Sequence, residues 1–197
     1  VVRMAELIED LDAIAKLESD SVKVSLTPCN IIDEMKKALE NAQPAAERKN
    51  ITLTMELPVN AEQGINVLCS PHHMQQVFTN LVANSIHYGH ESGTSILKLE
   101  NNGKTVKITI QDDGVGIAAN DLTRIFERFY RVDKSRSRHA GGSGLGLAIV
   151  KHIIESHGQS IAVYSEPGKG TSFSWDLVNF DWEAEVRNLS VNPPAED

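Results

Sequence analysis

Asn80-Leu81-Val82-Ala83-Asn84-Ser85-Ile86-His87-Tyr88 is the stretch on which the reading of this chain turns. On a helix, residues four apart share a face, so Asn80, Asn84 and Tyr88 line up. Val77, Leu81 and Ile86 then point toward a core. Asparagine is a mediocre helix former, and two of them mid-helix at this spacing are unusual. An amide oxygen is a neutral, hard ligand suited to Mg2+, which keeps several waters and borrows phosphate oxygens. The plainer alternative is that the two amides only solvate a helix face.

Working upstream, the helix starts near Pro71, after strands over Ile65–Cys69 and Ile51–Leu57, the second alternating as a half-buried strand does. A helix is expected from Thr27-Pro28, with Thr27 as its N-cap, to about Lys49, with a possible interruption at Pro44. Val22–Leu26 reads as a short strand. Residues 1–20 read as one helix, with Met4, Leu7, Leu11 and Ile14 on a single stripe.

Downstream, strands over 94–100 and 104–111 flank Asn101-Asn102-Gly103, a hairpin signal. A polar, glycine-bearing stretch runs from Asp112 to Ser143. A helix over 144–157 ends at Gly158, and strands near 160–165 and 171–178 close the domain. The tail follows Asn179. Strand and helix do not alternate strictly, so a doubly wound fold is excluded. The order fits a mixed sheet covered by helices on one face, an α/β fold.

Two glycine stretches bracket a basic run. Asp112-Asp113-Gly114-Val115-Gly116-Ile117 follows a strand; its glycines let backbone approach a ligand, and its carboxylate can accept from an adenine amino group. A plain acidic turn is the alternative. Gly141-Gly142-Ser143-Gly144-Leu145-Gly146-Leu147 opens a helix, where free N–H groups and the positive dipole end suit an anion. Between them, Phe126-Glu127-Arg128-Phe129-Tyr130 leads into Arg131, Lys134, Arg136 and Arg138. These five cations reverse the local charge in a chain of net charge −8. They suit a triphosphate under a mobile lid, or simply a solvated basic loop. Phe126 and Phe129 can anchor that loop in the core.

Neighbouring motifs fail. A dinucleotide fingerprint would need a glycine where Ile149 stands, and a Walker loop would need one where Lys98 stands. His72, His73, His87, His90, His152 and His157 close no zinc pattern. The acidic balance disfavours nucleic acid as a partner. No apolar run approaches a membrane span. Cys29 and Cys69 lie far apart in sequence and read as free thiols of a reducing compartment.

Taken in order, these stretches resemble the histidine-kinase branch of the superfamily that holds gyrase, heat-shock-chaperone and mismatch-repair ATPases. The 80–88 stretch is similar to its N box, 112–117 to its G1 box, Phe126–Phe129 to its F box and 141–147 to its G2 box. Gly168-Lys169-Gly170-Thr171 is similar to its G3 box. The resemblance implies a two-layer α/β sandwich (the Bergerat-type ATP-binding fold) with a mixed five-stranded sheet and three main helices. It implies ATP and Mg2+ as cofactors, with Asn84 the principal metal ligand and Asn80 assisting. Asp112 would meet the adenine amino group, Gly114, Gly116 and Ile117 would pass beside the base, and Tyr88 would lie against adenine or ribose. Gly142, Gly144, Leu145 and Gly146 would flank the triphosphate, with His87, Arg131, Lys134 and Thr171 completing the site.

Gyrase-like hydrolases of that superfamily resemble one another in carrying a water-activating glutamate where Asn80 stands. An amide is no base, so transfer to a protein side chain is favoured over hydrolysis. The sequence departs from the family at His87, where Lys or Arg is usual, at Asp113, and at Ser70-Pro71-His72-His73. Residues 1–20 resemble the end of a dimerisation and phosphoacceptor hairpin, 21–180 the catalytic domain, and 181–197 a tail. No histidine precedes His72, so the phosphoacceptor is expected outside this chain, which would bind ATP without autophosphorylating. The resemblance implies that partner domain, a response regulator, a homodimeric parent, a cytoplasmic location and no membrane contact by this fragment, and it is compatible with an inner-membrane sensor as the parent. A serine kinase of the anti-sigma-factor type and a non-catalytic nucleotide-binding module are the alternatives.

Overall fold

The computed structural model describes residues 24–59, 61–132 and 143–181. The expected helix over 1–20, Val22, Lys23, Lys134, Arg136, Arg138, Gly141, Gly142 and the tail beyond Asp181 lie outside the described residues.

A short strand β1 (Thr27–Asn30) leads into helix α1 (Ile31–Glu47), then β2 (Thr52–Glu56), β3 (Asn66–Cys69) and helix α2 (Pro71–Tyr88). The hairpin β4 (Thr94–Asn101) and β5 (Thr105–Asp112) follows, then a single turn α3 (Ala119–Leu122), helix α4 (Gly146–Ser156), and strands β6 (Ala162–Glu166) and β7 (Gly170–Val178). Two expectations are corrected. Strand does not occupy Val24–Leu26, and Thr27-Pro28 does not start a helix but belongs to β1. The N-cap is Asn30, whose Oδ1 accepts from the Ile32 N–H at 3.3 Å and the Ile65 N–H at 3.1 Å. Pro28 lacks an N–H, which an outer strand of a two-stranded pair tolerates. Pro44 sits inside α1 without ending it.

The main sheet has the order β2-β4-β5-β7-β6. β2 runs parallel to β4 and every other neighbouring pair is antiparallel, so the sheet is mixed, as expected. β1 and β3 stand apart as a two-stranded antiparallel sheet. Alternation puts Leu97 and Leu99 of β4, Ile108 and Ile110 of β5, and Phe173, Trp175 and Leu177 of β7 on one buried face. Helix α2 lies between α1 and α4 over that face. Val77, Phe78, Leu81 and Ile86 are buried. Phe78 meets Trp175 with ring centroids 5.8 Å apart, a contact worth about 1 kcal/mol beyond the area it covers. This packing holds α2 rigidly, leaving its Asn80–Asn84–Tyr88 stripe only partly covered.

Candidate nucleotide site

The stripe on α2 meets one glycine stretch at each end. At its N-terminal side, a Cβ on Gly146 would come 2.7 Å from Asn80 Oδ1, so any larger residue at the start of α4 would displace the amide from this position. Asn80 Nδ2 donates to the Gln76 carbonyl at 3.0 Å, which leaves its oxygen turned toward α4. At the other end, the Tyr88 carbonyl accepts from the Val115 N–H at 3.1 Å, and a Cβ on Gly114 would fall 2.5 Å from that carbonyl. Asn84 sits one turn from each, half-buried.

Helix α4 begins without a side-chain cap. The Leu145 N–H is taken by Ser143 Oγ at 3.1 Å, and the first helical bond runs from Ile149 to Leu145. The N–H groups of the first turn are therefore left without a side-chain acceptor, an arrangement that suits an anion with the helix dipole behind them. Gly144 has φ +74° and stacks against Phe129, whose N–H donates to the Gly144 carbonyl at 2.9 Å. Phe126 is partly buried against Phe173, but Phe129 is 59% exposed, so only the first of the two anchors the loop in the core.

Asp112 ends β5. Its Oδ1 accepts from the Gly114 N–H at 2.9 Å and the Thr171 N–H at 3.2 Å. Burial pushes its carboxyl above the usual carboxylate range, despite those two bonds. Both bonds fall on one oxygen, so Oδ2 is left for a donor. Asp113 turns the other way: both its oxygens accept from the Thr94 N–H at 2.9 Å, pinning the loop to β4.

Thr171 is buried, and its hydroxyl lies 2.9 Å from Ser165 Oγ. Ser165 in turn accepts from the Ile117 N–H at 2.8 Å and donates to the Gly170 carbonyl at 2.8 Å. Ser165 and Gly170 were not among the expected site residues. A Cβ on Gly170 would stand 1.9 Å from the Asp112 carbonyl oxygen, so this glycine fixes where the carboxylate sits. The signal for it was the paired glycines of Gly168-Lys169-Gly170; nothing in the sequence marked Ser165.

His87 lies at the surface beside Tyr88, ring centroids 4.6 Å apart. Desolvation of the ring, and then the nearby positive charges of Lys49 and Arg131, hold its pKa below the ordinary imidazole range. Lys49 is a second residue the sequence did not single out. Its Nζ donates to the carbonyls of Ile86 at 2.9 Å and His87 at 2.7 Å, capping the C-terminus of α2 from the end of α1.

Residues 69–179 match the family described as histidine kinase-, DNA gyrase B-, and HSP90-like ATPase. The sensor-like histidine kinase SenX3 of Mycolicibacterium smegmatis is 35% identical over 179 residues, covering 90% of this chain and 45% of SenX3. The sensor protein kinase WalK of Staphylococcus epidermidis is 36% identical over 172 residues, covering 86% of this chain and 27% of WalK. This chain thus spans less than half the length of these curated relatives. Among solved structures, full-length ShkA in complex with AMPPNP superposes with a TM-score of 0.77 at 26% identity, covering 89% of this chain and 36% of ShkA.

Proposed function

The chain belongs to the histidine kinase-, DNA gyrase B-, and HSP90-like ATPase family, and from that premise we propose that it binds Mg–ATP and presents the γ-phosphate to a histidine on a separate phosphoacceptor domain. The observation that carries this reading is the α2 stripe, with Asn80 Oδ1 against Gly146 at one end and the Tyr88 carbonyl bonded to Val115 at the other. The donor set suits the metal and the nucleotide. Among the described residues no group of three or more His, Cys, Asp or Glu side chains is placed to hold a metal ion. A Mg2+ here would draw on Asn84, with Asn80 assisting, on phosphate oxygens and on water, which is the coordination this ion favours. When bound, it neutralises phosphate charge.

Asp112, kept in place by Gly114, Thr171 and the Gly170 contact, offers its second oxygen to the adenine amino group. A carboxylate held partly desolvated is a stronger acceptor for that donor than one in water. The uncapped first turn of α4 holds the phosphates, and Arg131, near enough to His87 to lower its pKa, adds positive charge from the C-terminal side of α2. Asn80 stands where gyrase-like hydrolases carry a water-activating glutamate, so the described residues offer the terminal phosphate no base at that position. Similarity to sensor histidine kinases supports an acceptor on another protein domain, a response regulator downstream of that histidine, and a homodimeric parent.

Titration calorimetry with ATP should show binding in the presence of Mg2+ and little without it. Labelled ATP should leave no acid-labile phosphate on the chain alone, and label should appear on an added phosphoacceptor hairpin from a sensor histidine kinase. Affinity indifferent to Mg2+, together with no transfer to the hairpin, would refute the proposal.

A further inference from the structure

The sequence contains two cysteines, Cys29 and Cys69. The fold brings them together. β1 and β3 pair antiparallel with Thr27 opposite Cys69 and Cys29 opposite Val67. Cys29 and Cys69 are therefore diagonal neighbours, two residues offset, on the same inward face. Cys69 is fully buried and Cys29 is 9% exposed. Each thiol lies within electrostatic reach of the other. Each sits one residue before a helix cap, Cys29 before Asn30 of α1 and Cys69 before Ser70 of α2.

We propose that Cys29 and Cys69 form a dithiol site that small, neutral peroxides convert to a disulfide between β1 and β3. In the first step the Cys29 sulfur attacks one peroxide oxygen, the O–O bond breaks, and Cys29 becomes a sulfenic acid with release of water from hydrogen peroxide or of an alcohol from an alkyl hydroperoxide. In the second, the Cys69 sulfur displaces the sulfenic oxygen, the S–S bond forms, and water leaves with the thiol proton. The sulfurs lose two electrons and the peroxide takes them. Cys29 reacts first because it alone of the pair touches solvent. Burial holds both thiols protonated, so the first step is slow compared with free cysteine and selects a small neutral oxidant over a bulky disulfide. Asp33 and Glu34 reinforce this at Cys29, and Lys37 opposes them.

The strand geometry makes the site reversible. Diagonal neighbours stand roughly 7–8 Å apart, whereas a relaxed disulfide asks for a Cα separation of about 5.5–6 Å. The strands must draw together to close the bond. β1 is four residues long and, among the described residues, pairs with β3 alone, so few ladder bonds oppose that adjustment. A bond closed under such strain is readily reduced.

The test is mass spectrometry of the whole reduced chain after graded hydrogen peroxide. The expected product is monomeric, two hydrogens lighter, and returns to the starting mass with dithiothreitol. With only two cysteines present, an intramolecular disulfide identifies the pair. Oxidised glutathione should add no mixed disulfide. In Cys69→Ser, dimedone should trap a sulfenic acid at Cys29; in Cys29→Ser, Cys69 should remain unmodified. The proposal is overturned if the native chain gives no lighter species at peroxide doses that oxidise the same chain in urea, if oxidation yields only crosslinked dimers, or if the two variants show the reverse pattern.

Discussion

Helix α2 is tied at its first turn by a neutral imidazole and at its last by a lysine ammonium. At the start, the Ser70 N–H donates to His157 Nε2 at 3.0 Å, while His157 Nδ1 lies 2.7 Å from the Ile153 carbonyl. That arrangement needs a proton on Nδ1 and none on Nε2. At the end, Lys49 reaches two orphan carbonyls, and Tyr88 passes its own carbonyl to the loop beside Asp112. The His157 end is buried and faces α4; the Lys49 end is half-exposed and faces the candidate nucleotide site. The difference teaches that one helix can be fixed by two independent devices. One of them is lost when its own imidazole takes up a proton; the other rests on a lysine that in turn disfavours protonation of His87. The amides between them are thereby held in position at neutral pH.

The hardest blow to that arrangement falls between the ends. Asn84→Ala should cut Mg2+-dependent ATP affinity roughly 100-fold, since it removes one bond to a charged group worth up to about 3 kcal/mol. Circular dichroism should be unchanged, and equal calorimetric affinity in the variant would break the link between stripe and metal. At the Lys49 end of the helix lies Asp112. Its folded pKa is raised, so the ligand-free fold is least stabilised by it once the carboxyl is ionised above that pKa. Asp112→Asn keeps an oxygen for Gly114 and Thr171, so the melting temperature should hold or rise. ATP affinity should fall at least about tenfold, because an amide N–H2 replaces the free acceptor. A drop in stability with affinity intact would reverse this assignment.

The imidazole end is sharpened by pH. Burial depresses the pKa of His157, and His73 behind it is depressed too, first by burial and then by His72 and His157. The unfolded chain then takes up protons that the folded one refuses. The contribution is fully present above about pH 6.5 and is lost as pH falls from there through the folded value. Urea midpoints should therefore decline between about pH 7 and pH 5. His157→Gln should lower stability by about 1–3 kcal/mol at neutral pH and flatten that decline; parallel pH curves for the two proteins would remove His157 as the cause. The smallest effect is expected at Lys49. Lys49→Met should lower stability by about 1 kcal/mol at neutral pH and change the decline toward pH 5 only through the smaller part it plays in lowering the His87 pKa, whose first cause is burial. A pH dependence matching that of His157→Gln would erase the contrast between the two ends.

Most of the site's linear parts could be read from residue type and spacing. The Asn80–Asn84–Tyr88 stripe follows from helical periodicity alone, and the helix lies where that periodicity put it, Pro71–Tyr88. Asn101-Asn102-Gly103 located its hairpin because an Asn side chain and a glycine at φ +79° suit the turn. β1 was misread because Thr-Pro is a fair helix start locally, and only pairing with β3 makes it a strand. Lys49 and Ser165 escaped notice because each acts through partners distant in sequence, and neither type carries a spacing signature.

The chain's own order of residues settled which amides share a face, which glycines open a helix, and that a mixed sheet would form. These are consequences of backbone periodicity, which neighbours in sequence set. Tertiary structure decided that Asn80 meets Gly146, that Gly170 fixes Asp112, and that Cys29 and Cys69 become diagonal neighbours. Such contacts depend on how helices and strands far apart in the chain pack over one core, and no local pattern encodes that distance.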